Sequence, residues 1–164
     1  MATVGVKTFE LTRFGEAEAG NVFSYPEAAS QSFKTGDPVK LNTSGQVLLA
    51  VDTEDGIWGI AWEDATGTTA NMVLILVLTP AMVFAVSQSN AGAAQASAQT
   101  QVGLQCSYIK STVTDETTKT VLDTADTTTP TFEIIYLDGR DPVGDSNGRV
   151  LCRVIGSAIK ARPS

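Results

Sequence analysis

The chain has 164 residues, room for one domain, and 43% of them are hydrophobic, enough for an ordinary core without disulfides or metals. Acidic residues outnumber basic ones 18 to 11, for a formal net charge of −7. This disfavours sequence-blind nucleic-acid binding and attachment to anionic membranes. Histidine is absent, which closes Ser-His-Asp and Cys-His catalysis and His-ligated zinc.

In chain order, the first 36 residues differ from the rest. No basic-then-apolar leader pattern opens the chain, which fits synthesis in a cytosol-like compartment. Thr3–Leu11 is expected to form one strand, with Val4, Val6, Thr8 and Glu10 on one face. Then come Phe14, Phe23, Tyr25 and Phe33, widely spaced among small and polar residues. Aromatics without a period suit an extended arm, lying on its own barrel or on a neighbouring subunit. The division is residues 1–32 as the arm and 33–164 as a β-barrel domain.

Next, "DPVKLNTSGQVLLAVD" reads as a hairpin, with strands Val39–Asn42 and Gln46–Val51 about a Ser44-Gly45 turn. Ile57–Glu63 follows as a strand, putting Trp58 and Trp62 on one face. "DATGTTAN" is a turn cluster. Met72–Val86 is the most apolar stretch, too short to span a bilayer. It divides at Thr79-Pro80 into core strands Met72–Leu78 and Met82–Val86, joined by a tight turn or bulge. Ser87–Thr100 lacks an apolar stripe and is expected to be a loop. Val102–Lys110, Thr118–Asp123 and Thr131–Leu137 read as strands. Asn147-Gly148 signals a type I′ turn before Arg149–Ile155, where Val150, Cys152 and Val154 share a face. Eight to ten short strands without an amphipathic helix predict an all-β barrel or sandwich, a small β-barrel with its N-terminal arm.

Candidate chemistry is sparse. Cys106 and Cys152, 46 positions apart, read as buried reduced thiols. The acidic groups Asp52, Glu54, Asp55 and Asp138, Asp141, Asp145 lie in turns, where Asp and Asn favour the local backbone. Asp145-Ser-Asn-Gly opens like a calcium loop, but the glycine is misplaced and Gly156 stands at the twelfth position. Glu63-Asp64 and Asp115-Glu116 are merely adjacent, which does not make facing glycosidase carboxylates. Ser107-Tyr-Ile-Lys110 and Ser157-Ala-Ile-Lys160 match S-x-x-K, a pattern that needs a helix to bring Ser and Lys together. No phosphate-cradling glycine loop occurs. Catalytic residues, cofactors and metals are therefore expected to be none. Trp58 and Trp62 offer the rival reading of a carbohydrate- or cell-surface-binding β module, with core or interface packing as their simpler role.

Two stretches resemble the decoration, or cement, proteins of tailed-phage heads. One runs "SFKTGDPVKLNTSGQVLLAVDTEDGIWGIAWEDATGTTANMVLILVLTPAMVFAV"; the other ends in the D-x-R-D-x-V-G-D-x-x-G-R-V pattern of Asp138–Val150. Together they cover about Phe33 to Ile155, and the first also resembles the β-tulip core of lambda-type decoration proteins. The resemblance implies a non-enzymatic virion protein on the outer capsid surface. It would bind where major capsid protein subunits meet and hold the expanded head against DNA pressure. It would self-associate as a homotrimer, or as a dimer at two-fold positions. Asp138, Arg140, Asp141, Asp145, Gly148 and Arg149 would then hold the fold. The arm is longer than the lambda-type pattern, and the C-terminal hairpins are additional. The residues expected to contact the capsid are Val4, Val6, Phe9, Leu11, Phe14, Phe23 and Tyr25, with packing on the protein's own barrel as the rival role.

Overall fold

A computed structural model describes residues 5–12, 21–51 and 56–160. The fold is all-β, with no α-helix among the described residues. Its strands are β1 (Glu10–Leu11), β2 (Val22–Pro26), β3 (Pro38–Leu41), β4 (Val47–Leu49), β5 (Gly59–Ala61), β6 (Met72–Val77), β7 (Val83–Asn90), β8 (Ala93–Ala94), β9 (Gln105–Lys110), β10 (Thr120–Asp123), β11 (Phe132–Leu137) and β12 (Arg149–Val154).

They form two bodies. In the first, β7, β10, β9, β11 and β12 pair in sequence and β12 returns to β7, closing a five-stranded barrel. Only the β7–β10 pair is parallel within that ring. β1 and β8 also pair with β7. The second body is an antiparallel sheet in the order β2-β6-β5-β3-β4. Its two edge strands approach at one place, a parallel bridge between Glu27 and Val47.

The alternation of apolar residues places two cores. Phe9, Phe84, Phe132, Tyr108 and Cys152 fill the barrel, and Ile60 and Leu76 of the sheet join that cluster. Phe33, Val39, Val47, Val73 and Ile75 form a second core on one side of the sheet. β6 therefore has apolar neighbours on both faces: Val73 and Ile75 point into the sheet's core, and Leu76 points to the barrel.

Several expectations change in detail. The tight turn at Thr79-Pro80 is present, Met82 N donating to Thr79 O, but it passes the chain from the sheet to the barrel, because β6 and β7 pair with different partners. β7 runs on to Asn90, into the segment expected to be loop. Its Ser87, Gln88 and Ser89 are buried because hydrogen bonds replace water: Ser87 Oγ donates to Asn147 O, Gln88 Nε2 to Gln101 Oε1 and Ser89 Oγ to Leu122 O. The Ile57–Glu63 strand shrinks to three residues, Gly59–Ala61. The Asn147-Gly148 turn is not type I′, since neither residue has a positive φ. Instead Asp145 Oδ1 accepts from Asn147 N, and Gly148 is required because a Cβ there would lie 2.7 Å from Ser97 Oγ. Of Thr3–Leu11, only Glu10–Leu11 is paired as strand among the described residues.

Candidate functional site

The residues expected to meet a partner separate into three groups. Val4 and Phe14 lie outside the described residues. Val6 and Phe9 are buried in the protein's own body, at 2% and 5% exposure. Phe9 packs 4.5 Å from the Phe132 ring and edge-on to Phe84, so it is a core aromatic of the barrel. Leu11 is half-buried on the same core. On β2, Tyr25 is half-buried edge-on to Trp58, while Phe23 is exposed. Residues 7–12 are also fastened by backbone: Ser87 N donates to Lys7 O, and Thr12 N to Val83 O. Lys119 Nζ donates to Val6 O.

A different surface emerges on the outer face of β5 and β6. Ile60 pairs with Leu76, and both are buried against the barrel. One step along, Trp62 N donates to Leu74 O, so Trp62 and Leu74 stand side by side on that face. Two residues further on β6 is Met72, beside Pro26 of β2. Trp62, Leu74 and Met72 are exposed. A groove of about 410 Å³ continues this strip, walled by Phe9, Leu11, Ile60, Leu76 and Trp62. Lys7, Glu10 and Lys119 also line it. β6 thus carries an apolar row on its outer side of which only Leu76 is covered by the protein itself.

Sequence reading overlooked this row. The signal was the run Met72–Val77, apolar at every position. A strand with one wet face alternates; a strand apolar on both sides asks for two covers.

The D-x-R-D segment is an ion-pair network. Arg140 Nε and Nη2 grip Asp138 at 2.6–3.0 Å. Arg149 Nε and Nη2 grip Asp141 at 2.7 and 2.8 Å. Both guanidiniums reach Glu10 of β1, at 3.2 and 3.4 Å. Burial raises the Asp138 carboxyl, but the bonds and charge of Arg140 outweigh it and hold it below the usual range. The Arg149 bonds do the same for Asp141 against its burial. Every charge here already has a mate, so the cluster fixes the 138–149 loop and β1 to each other.

Two further carboxylates are buried in the sheet. Glu27 accepts from Thr66 N, Thr66 Oγ1 and Gly67 N at 2.7–2.8 Å. Asp37 accepts from Lys34 N and Thr120 Oγ1, and Lys110 Nζ lies 2.6 Å from both its oxygens. Lys110 and Thr120 belong to the barrel, so this pair ties the two bodies.

The remaining motifs acquire no shared chemistry. Ser107 and Lys110 lie three apart on β9, hence on opposite faces. Ser157 sits in a 3-10 turn, Gly156–Ala158, that ends before Lys160. Trp58 is half-buried, its indole Nε1 enclosed without a hydrogen-bond partner, and only Trp62 is open. The pair does not form a joint stacking platform. Both cysteines are free and buried. Burial pushes the Cys106 thiol up to about 12, and raises Cys152 as well. Asp52, Glu54 and Asp55 lie outside the described residues. Among the described residues no cluster of three His, Cys, Asp or Glu is placed to hold a metal.

No family model, curated protein or solved structure matches the chain.

Proposed function

We propose that this is a structural protein of a tailed-phage head. In this reading it binds the outer capsid surface at junctions between major capsid protein subunits and stabilises the expanded shell against DNA pressure. The observation that carries the reading is the uncovered outer row of β6 with Trp62 beside it. Met72, Leu74 and Trp62 form an apolar strip on a chain whose net charge is −7. Such strips mark surfaces that a partner covers. The resemblance of Phe33–Ile155 to cement proteins supports the capsid as that partner. Burial of apolar area at about 25 cal/mol per Å² resists separation of the neighbours, and repetition around a trimer multiplies modest contacts.

The contact set moves accordingly. Val6 and Phe9 serve the fold, while Trp62, Leu74 and Met72 serve the shell; the exposed Phe23 pairs with Ile75 and stands on the opposite face of the sheet. The test is co-sedimentation with expanded, DNA-free heads that lack the protein. Full-length chain is expected to saturate them. Leu74→Asp and Met72→Asp should each lower the affinity at least tenfold with an unchanged far-UV spectrum. Binding by both variants at the wild-type level would move the contact elsewhere. Failure of the wild type to bind would remove the capsid reading. Deleting the first 31 residues would not separate contact from folding, because it also removes Phe9 from the barrel core.

A further inference from the structure

β11 contains a register shift with a specific effect. Ile134 pairs with Cys152, but Tyr136 pairs with Leu151 where regular pairing would give Val150. The extra residue is Ile135. In an unbroken strand Tyr136 would share the inward face of Phe132 and Ile134, both fully buried. The bulge turns it outward instead, to 64% exposure, the most open aromatic among the described residues.

Tyr136 lines a shallow bowl of about 740 Å³ on the barrel's outer wall, with Leu151, Gly139, Glu10, Asp138 and Arg140 around it. The volume lies within the roughly 300–1,000 Å³ of ligand clefts. Nothing stands within 4 Å of a Cβ built on Gly139, so that side is open backbone. The polar groups are held in place before any ligand arrives: Asp138 is clamped by Arg140, and Arg140 reaches Glu10. Glu10 is held at 3.2 and 3.4 Å, more loosely than Asp138 by Arg140 or Asp141 by Arg149, and its side chain is half exposed. It keeps lone pairs facing the bowl, and Arg140, 47% exposed, keeps N–H groups.

We infer that this bowl is a saccharide-binding site, with Tyr136 as the stacking platform and Glu10 and Arg140 as the hydroxyl-reading pair. An aromatic face receives the C–H face of a sugar, and a fixed acceptor beside a fixed donor reads neighbouring hydroxyls. Mixed charge argues for a neutral ligand: carboxylates repel an anion and guanidiniums repel a cation. Leu11, Leu137 and Leu151 line the bowl beside Tyr136; what sets it apart from the Trp62–Leu74–Met72 strip is the charged rim of Glu10, Asp138 and Arg140 at the aromatic's edge. The inference does not rest on the capsid reading, although the bowl adjoins the groove beside Trp62 and shares Glu10 and Leu11 with it.

The test is an array of immobilised neutral oligosaccharides, N-acetylglucosamine tetramer and maltotetraose among them, probed with labelled full-length protein. Saturable retention on a discrete set is expected. Tyr136→Ala should weaken it tenfold or more, and Tyr136→Phe should retain it. Since Tyr136 is an exposed surface side chain, both variants should melt with the wild type. Absence of retention by the wild type, or equal retention by Tyr136→Ala, overturns the site. So does loss of head binding in Tyr136→Ala without any glycan retained, which would make the bowl a protein contact.

Discussion

The barrel and the sheet solve the same problem differently. In the barrel every strand of the ring has backbone partners on both sides, and a continuous aromatic core fills it. In the sheet, β2 and β4 meet only at the Glu27–Val47 bridge, and side chains finish the closure. Gln31 Oε1 accepts from Leu49 N, Glu27 ties down the 66–67 backbone, and Asp37 fastens the sheet to the barrel. A ring closed by main chain tolerates varied side chains. One closed by buried carboxylates depends on a few.

The largest expected effect tests the barrel. Phe84 is fully buried among Phe9 and its neighbours, and Phe84→Ala should cost about 3–5 kcal/mol. Both bodies should unfold together in urea, because Ile60 and Leu76 of the sheet share that core. Two separated transitions would refute the common core. Glu27→Ala comes next. It removes the buried acceptor shared by Thr66 N, Thr66 Oγ1 and Gly67 N, at about 1–3 kcal/mol. Hydrogen exchange should rise at residues 63–71 well before the barrel amides; equal rises would erase the contrast between the bodies.

Acid gives a smaller, graded effect. Asp138 and Asp141 have lowered pKa values in the folded chain. Their stabilisation is therefore complete above the unfolded value of about 3.9 and is lost as pH falls through the still lower folded values. Melting temperature should lose this contribution only below about pH 4. Asp141→Asn should lower it at pH 7 and flatten that acid limb; an unchanged limb would show that other carboxylates govern it. The smallest effect concerns the thiols. With Cys106 at about 12 and Cys152 raised, a thiol reagent at pH 8 should label neither until the barrel unfolds. Prompt native labelling would mean the barrel opens locally.

Legibility followed how local the cause was. The 39–49 hairpin is read from its own turn, with Gly45 at φ 76° and Asn42 Oδ1 accepting from Ser44 N and Gln46 N. β12 is read from its alternation. What escaped depended on distant residues. Ser87–Ser89 look like loop until Asn147, Gln101 and Leu122 are brought to them. Phe9 looks like an arm residue until Phe84 and Phe132 stand beside it. Trp58 and Trp62 share a spacing, but Trp58 is taken up by Tyr25 and the sheet's core. The Asp138–Arg149 network was legible as structural because its charges alternate along one short loop. The outward turn of Tyr136 was not, because a bulge is a relation between two strands.

β7 is flanked at the same residues by strands from opposite regions of the sequence: Ala85 lies between Glu10 and Leu151, and Phe84 between Leu11 and Cys152. Further on, Ser89 lies between Ala94 and Asp123. The barrel thus cannot close until residues 149–154 dock on a strand some sixty positions earlier. Long-range pairings of this kind place folding in the millisecond-to-second range. Until they form, β7 presents an unpaired apolar edge, and crowding of nascent copies favours edge-to-edge pairing between chains. Yield of soluble protein should accordingly depend on synthesis rate and temperature more steeply than the finished barrel's stability alone would suggest.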